Sequence, residues 1–421
     1  MDKPSPTSSQ PCPNPMRVMA PRPLPLHLAR AMTVWTSSLA ALPNAKAGSL
    51  PWSPALAARG QSLASDLASV RPEELTGAIA GEARRRGAAM MAGIEAYQSH
   101  PYQRRLRDPA VVWRDGASRL LDYGARRRDR DQATPVLFVP SLVNRYYILD
   151  LSKRRSLVRW LASHGLRPLV IDWGSPGDAE RGFDLDAYIT QRLEPALDAA
   201  RQLTGGPVAV AGYCMGGLLA LALALRRPKD VRALALLATP WDFHGTGDAH
   251  SHLLSAMGPS LEGLLSLFGE LPIDVLQALF TWSDPSMVSN KFRAFGAMDG
   301  DSQRAENFVA LEDWLNDGVA LTAGVARDCL TGWYGENRPA RGQWRVAGTV
   351  IEPGKLAVPS LVALPRSDRI VAPASAATLA DALGDCRRLT PPSGHIGMVV
   401  GGAARKTLWQ PLAEWLRHTG T

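Results

Sequence analysis

Cys214 stands in Gly212-Tyr213-Cys214-Met215-Gly216, between the apolar run 208–211 and an Ala/Leu run over 218–224 that holds no helix breaker. The pattern is Gly-x-nucleophile-x-Gly at a bend between a buried strand and a helix, with Cys where most hydrolases carry Ser. Both glycines have a physical reason. A β-carbon two residues to either side of a nucleophile on so sharp a bend would meet neighbouring backbone. The helix that follows aims its N-terminal dipole and free N–H groups at the sulfur, which favours an anion there. A cysteine in a chain of this kind is more often inert packing. The strand before it and the helix after it make this one a candidate nucleophile.

A cysteine nucleophile needs a base, and the base needs an orienting acid. On an elbow of this kind the order along the chain is nucleophile, acid, His. Asp368 follows the apolar run 360–364 directly, in Pro365-Arg366-Ser367-Asp368-Arg369-Ile370, and His395 lies in Ser393-Gly394-His395-Ile396-Gly397 after the last strand-like run. Asp242, beyond the run that ends near Thr239, is the second-choice acid, and His244, His250, His252 and His418 fit the base less well. The oxyanion donors would be the backbone N–H of Met215 and an N–H from the loop after the run 136–139, near Val143 or Asn144. Exchange of a thiolate with a thioester is close to thermoneutral and keeps the acyl group activated. Cys in this place therefore favours thioester chemistry and acyl transfer over plain ester hydrolysis.

These residues need elements to position them. Strand-like runs at 111–114, 119–123, 136–139, 168–173, 208–212, 231–239, 360–364 and 386–389 alternate, from the third onward, with helical patterns at 157–164, 185–204, 218–224, 374–383 and 404–416. That alternation predicts a mostly parallel sheet with helices on both faces, and a nucleophile at a strand end makes it an α/β-hydrolase fold. From about 244 to 345 the alternation stops and the chain reads as helical, with Trp282, Trp314 and Trp333, which predicts an inserted cap. Residues 106–421 would form this catalytic domain, residues 26–105 a helical N-terminal extension, and the Pro/Ser-rich residues 1–25 a disordered tail. Within the extension, helical segments are expected at 26–42, 51–67 and 72–97. The first carries an apolar stripe of Leu28, Met32, Trp35, Leu39 and Leu42 expected to pack on the domain, with attachment to a lipid or polymer surface as the alternative.

Composition narrows the function classes. The chain has 421 residues, 46% of them hydrophobic and 20% charged, enough for a large core. Its net charge of +8 is scattered rather than blocked and comes without a nucleic-acid-binding motif, so no nucleic-acid partner is expected. Cys12, Cys214, Cys329 and Cys386 are far apart, which argues against a disulfide framework or a metal site and for a reducing compartment. No apolar run reaches the length of a membrane span and no secretion signal is visible, so a cytoplasmic location is expected.

Further segments carry a family pattern. Pro140-Ser141-Leu142-Val143-Asn144-Arg145-Tyr146-Tyr147-Ile148-Leu149-Asp150-Leu151 resembles the polyhydroxyalkanoate synthase stretch P-P-x-I-N-K-Y-Y-I-L-D-L, and Ser156-Leu157-Val158-Arg159-Trp160-Leu161 continues it. Ile171-Asp172-Trp173 looks like that family's I-S-W segment, Gly212 to Gly217 matches its G-x-C-x-G-G box, and Ser393-Gly394-His395-Ile396 matches its S-G-H-I. The resemblance covers roughly residues 100–421. It implies a Cys214–His395–Asp368 triad and polymerisation of a 3-hydroxyacyl-coenzyme A, with the polyester chain held as a thioester on Cys214. Coenzyme A would enter as part of the substrate, with no resident cofactor. The partners it brings into view are a second copy or a second synthase subunit, and the surface of polyester granules. Two departures lie where elongation and product exit would be controlled. Arg369 stands where the family usually has His after the catalytic Asp, and Trp314-Leu315-Asn316-Asp317-Gly318-Val319 matches only part of the cap motif W-N-x-D-x-T-N. Two other readings stay open on the sequence: a hydrolase of the same fold, acting as an oligoester depolymerase or acyl-CoA thioesterase, and a granule-associated structural protein.

Overall fold

Eight runs rich in Val, Leu and Ala pair into one sheet: β1 (Ala110–Asp115), β2 (Ser118–Asp122), β3 (Thr134–Val139), β4 (Leu166–Asp172), β5 (Val208–Tyr213), β6 (Val231–Leu237), β7 (Ser360–Ala363) and β8 (Arg387–Leu389). The computed structural model describes residues 17–128, 131–245, 256–281 and 284–419. Cys12, His250, His252 and Trp282, with the first sixteen residues of the expected tail, lie outside them. The strand order is β1-β2-β4-β3-β5-β6-β7-β8. β1 pairs antiparallel with β2, and β2 with β4; every other pair is parallel. All residues of β4 and β5 are buried; β5 reads as a continuous apolar run, and β4 does so over residues 169–171 while burying Arg167 on Asp122. The mostly parallel α/β-hydrolase sheet expected from the sequence is therefore present.

Helices α1 (Leu24–Lys46), α2 (Ala57–Ala68) and α3 (Pro72–Gln98) precede the sheet, and α4 (Glu194–Thr204), α5 (Met215–Arg226), α6 (Met287–Gly296), α7 (Gln303–Asn316), α8 (Pro373–Ala382) and α9 (Gln410–His418) follow in order. β3 and β5 run parallel with Val139 opposite Gly212, so the loop leaving β3 starts beside the residue that opens the elbow.

The chain divides into two compact units, one of residues 104–276 and 317–421, the other of residues 1–103 and 277–316. The expected insertion thus does not stay together, because its residues 277–316 are bound into a different core. Val288, Phe292 and Phe295 of α6 and Ala305 and Val309 of α7 share one buried cluster with Ala31 and Trp35 of α1 and Met90, Ile94 and Tyr97 of α3. Gly93 lets α3 and α6 approach closely, since a β-carbon there would lie 1.9 Å from the carbonyl oxygen of Phe292. Hydrophobic periodicity marks which face of a helix is apolar. It does not name the partner that covers it.

Two expectations for this second unit need correction. The tail predicted as disordered to residue 25 is ordered from Arg17, whose buried guanidinium forks onto Asp313 with two bonds of 2.7 Å. Tyr97 donates to the same carboxylate at 3.0 Å. A buried arginine held bidentate needs a fixed backbone, and Pro/Ser composition alone does not reveal such an anchor. The predicted stripe of α1 packs only in part: Trp35 is buried and Leu28 packs against the cluster, but His27 and Ala31 are buried as well and Met32 is 55% exposed.

Gly77 of α3 has nothing within 4 Å of the position a β-carbon would take. Gly77→Ala is expected to stabilise the protein by about 0.5–1 kcal/mol through helix propensity alone. A thermal melt should show this as a rise of roughly 1–3 °C; a fall would mean that α3 is not helical at residue 77. No helix among the described residues is long and apolar enough to cross a membrane.

Candidate active site

Cys214 ends β5 and caps α5 with φ 56° and ψ −128°, a backbone conformation that non-glycine residues rarely hold. Close approaches on both sides maintain it. A β-carbon on Gly212 would lie 2.4 Å from the Cα of Gly217, and one on Gly216 would lie 2.1 Å from the carbonyl oxygen of Val139. On Gly217 it would meet Thr239 Oγ1 at 1.8 Å. Cys214 N–H donates to Leu237 O at 2.9 Å, which ties the bend to the neighbouring strand β6. The cysteine is half-buried.

His395 and Asp368 are both buried, and His395 Nδ1 lies 2.7 Å from Asp368 Oδ2. The other carboxylate oxygen accepts the N–H groups of Ile370 (2.8 Å) and Val371 (2.9 Å), so the acid is held from both ends. Its loop is tied to the histidine loop by Arg366 N–H to Pro391 O and Ser367 N–H to Ser393 O, each at 3.0 Å. Tyr213, next to the cysteine, stacks its ring 5.1 Å from the imidazole. Cys214 lies near enough to His395 to act on the charge of its imidazole.

The electrostatics follow from burial and two anionic neighbours. Burial opposes the imidazolium. The charge on Cys214, the Asp368 hydrogen bond and the hydrogen bond to Cys214 outweigh it and raise the His395 pKa from 6.5 to about 10. The stability this contributes is fully present below the ordinary imidazole pKa and is lost as pH rises through about 10. Two of the raising causes belong to the sulfur. Once Cys214 is acylated they vanish, burial regains weight, and the imidazole becomes able to accept a proton. We therefore expect Cys214→Ala, or alkylation of Cys214, to lower the His395 pKa. Titration of the imidazole by NMR measures this directly, and an unchanged pKa would show that the sulfur does not reach the ring.

The other candidates are placed elsewhere. Asp242, the second-choice acid, accepts from Asn337 Nδ2 (2.8 Å) and from the backbone N–H of His244 (2.9 Å), while Asp368 occupies the position on His395. His244 Nε2 lies 2.7 Å from Tyr334 O, and His418 Nδ1 lies 2.6 Å from Glu414 O. Cys329 is buried, and Cys386 Sγ lies 3.4 Å from Ala380 O. Asn337 is a residue the sequence did not single out. Its amide also accepts Phe243 N–H at 3.0 Å and so holds the loop beyond β6.

Met215 is the first residue of α5, so its N–H has no acceptor within the helix. Of the two residues expected after β3, Val143 uses its N–H on Ser141 Oγ at 3.2 Å, which leaves Asn144 as the candidate. This loop is pinned along its length. Trp173 Nε1 donates to Pro140 O at 3.0 Å, and Val319 N–H donates to Val143 O at 3.1 Å. Asn144 forms an antiparallel bridge with Gly318. Tyr147 OH donates to Asp317 Oδ2 at 2.9 Å, and Arg145 Nε lies 3.5 Å from Asp317 Oδ1. Farther along, Asp150 is fully buried and accepts from Arg159 Nε (2.7 Å), Arg104 Nη2 (2.9 Å) and Tyr123 OH (3.0 Å). Residues 317–319 and the motif at 140–151 therefore meet, a contact that no local spacing could reveal.

Residues 134–401 match the alpha/beta hydrolase fold family, and residues 106–161 match the family described as the N-terminus of poly-beta-hydroxybutyrate polymerase (PhaC). A poly(3-hydroxyalkanoate) polymerase subunit PhaC from Synechocystis is 31% identical over 295 residues, 67% of this chain and 77% of that protein. The chain belongs to the poly(3-hydroxyalkanoate) polymerase family. The PhaC subunit from Haloferax mediterranei is 29% identical over 319 residues, and the match spans 74% of this chain but only 64% of that protein's length. A soluble variant of monoglyceride lipase from Saccharomyces cerevisiae shares the fold at a TM-score of 0.52 and 14% identity, covering 76% of this chain and 99% of that one. Within the polymerase family the chain retains the cysteine elbow and the S-G-H-I segment, and it carries Arg369 directly after Asp368.

Proposed function

We propose that this chain is an acyltransferase that polymerises 3-hydroxyacyl-coenzyme A, with a Cys214–His395–Asp368 triad. The observation that carries the reading is a cysteine on a strained elbow beside a buried histidine that is itself 2.7 Å from a buried carboxylate. Membership of the polymerase family supports the substrate class.

The thiolate of Cys214 attacks the thioester carbonyl, and the N–H groups of Met215 and Asn144 receive the developing oxyanion. The C–S bond to coenzyme A breaks, and the imidazolium of His395 gives its proton to the leaving thiolate. The acyl group is then on Cys214, and His395 is neutral. The 3-hydroxyl of a second acyl unit attacks the acyl-cysteine while His395 takes its proton, an ester forms, and Cys214 leaves as thiolate. Asp368 holds the imidazole tautomer through Nδ1 and stabilises its cation. Coenzyme A enters as part of the substrate and no resident cofactor is invoked. Reaction in a reducing cytoplasm at a polyester granule, alone or with a second subunit, is consistent with this chemistry.

The test is the fate of 3-hydroxybutyryl-CoA with purified protein, following released thiol by colour and product by mass. Thiol release with oligomeric or insoluble ester is the expected result. Release with free 3-hydroxy acid alone would move the protein to the thioesterase reading. No release from any acyl thioester would remove the acyltransferase reading altogether.

A further inference from the structure

The loop after β3 is held by a segment that lies far from it in sequence. Residues 317–319 contact it at four successive points: Asp317 at Tyr147 and Arg145, Gly318 at Asn144, and Val319 at Val143. A β-carbon on Gly318 would lie 2.1 Å from Ile273 Cδ1, so the side chain of Ile273 packs directly over it. The segment thus holds the backbone at Val143 and Asn144 and, on the far side, the side chains of Arg145 and Tyr147, while no hydrogen bond of the Asn144 side-chain oxygen takes part. Asn144 Oδ1 is buried without a hydrogen-bond partner. An unsatisfied buried amide costs stability, so a loop optimised only for folding would not be pinned around one.

Resting on the reading of this loop as an oxyanion donor, we propose that Asp317 is a positioning residue for acyl transfer: it holds Tyr147 and Arg145, and through them the backbone of Asn144, in the geometry that receives the oxyanion. Asp317 touches no reacting atom. Its carboxylate accepts a phenol on one oxygen and faces a guanidinium on the other, so it resists displacement of the loop in two directions. A donor set for a transition state must be held to within a fraction of an ångström, because oxyanion stabilisation depends on donor distance. A second consequence follows. Any movement of residues 317–319 away from the loop dismantles the oxyanion site, so the site is complete only while this segment is seated.

The signature of such a residue is a loss in kcat with little change in KM, since the contact acts on the transition state and not on substrate binding. The experiment compares wild type, Asp317→Ala, Asp317→Asn and Tyr147→Phe with two acyl donors, 3-hydroxybutyryl-CoA and p-nitrophenyl butyrate, with the folded fraction of each variant measured by circular dichroism. For Asp317→Ala, kcat should fall roughly 10- to 100-fold on both donors with KM within about threefold. Asp317→Asn keeps an acceptor for Tyr147 and should recover part of that loss. Tyr147→Phe removes one hydroxyl only, serves as the milder variant where Asp317→Ala folds poorly, and should lose kcat in the same sense. Folded variants with unchanged kcat would overturn the proposal, as would a loss confined to KM or one fully explained by a smaller folded fraction. Wild type that turns over p-nitrophenyl butyrate but not the CoA thioester would remove the polymerase reading and leave Asp317 tested. Wild type inert on both would remove both.

Discussion

Cys214→Ala is expected to lower thiol release from 3-hydroxybutyryl-CoA by at least about 10,000-fold, the scale on which loss of a covalent nucleophile acts in comparable triads. The variant should fold. Cys214 is half-buried, and alanine removes a sulfur without adding a β-carbon at the strained bend. Cys214→Ser separates two explanations for the loss. Serine preserves the shape of the site, but a hydroxyl is far less acidic and far less nucleophilic toward a thioester than a thiol. The serine variant should therefore also be severely impaired on thioesters. Full activity in Cys214→Ala would end the nucleophile assignment, because no other step in the proposed sequence can hold the acyl group.

Gly216→Ala is expected to have the largest effect on the fold of any single methyl group at the site. Its β-carbon would sit 2.1 Å from the carbonyl oxygen of Val139 and 2.5 Å from that of Pro140. Both obstacles are backbone, so neither can rotate away. Relief requires α5 or the end of β3 to shift. A destabilisation of about 3 kcal/mol is expected, visible as a lower midpoint in urea unfolding. Activity should fall more than stability, by roughly a hundredfold or more in the protein that remains folded, since the displaced parts are the nucleophile elbow and the oxyanion loop together. Gly402→Ala is the control: nothing lies within 4 Å of its β-carbon position, and stability should stay within about 0.5 kcal/mol of wild type. Equal behaviour of the two variants would refute the packing argument.

The two effects share one cause. The elbow places a reactive sulfur at a strand end by holding Cys214 at positive φ, and the glycines on either side leave no space for alternatives. Strain at the nucleophile is thus maintained by close backbone contact rather than by a particular side chain. Acylation then changes the charge at this point. In the proposed mechanism, an acyl group on Cys214 would remove the share of the raised His395 pKa that comes from the sulfur and so favour His395 as a base for the incoming hydroxyl.

Much of this was legible in the residues themselves. The buried strands were visible because strands covered on both faces are rich in apolar residues, as β5 is along its length and β4 is over residues 169–171. The elbow was visible because its Gly-x-Cys-x-Gly spacing is local, although only Gly212 is demanded by a near neighbour, Gly217, whereas Gly216 meets Val139 and Gly217 meets Thr239. Asp368 and His395 could be singled out because each lies just past a strand, and chain order on this fold assigns them. What the sequence could not decide were the long-range pairings. Whether Asp242 or Asp368 meets His395 depends on how two loops, after β6 and after β7, fold at the sheet edge, and Asn337 drawing Asp242 away is a contact across 95 residues. The split of the insertion, with α6 and α7 sharing a core with α1 and α3, depends on which apolar faces find each other, as does the order at Arg17, whose partner Asp313 lies 296 residues away. Local periodicity and turn chemistry specify the element and its apolar face; the partner is chosen by complementary shape and charge between segments distant in the chain, and only the folded structure brings those together.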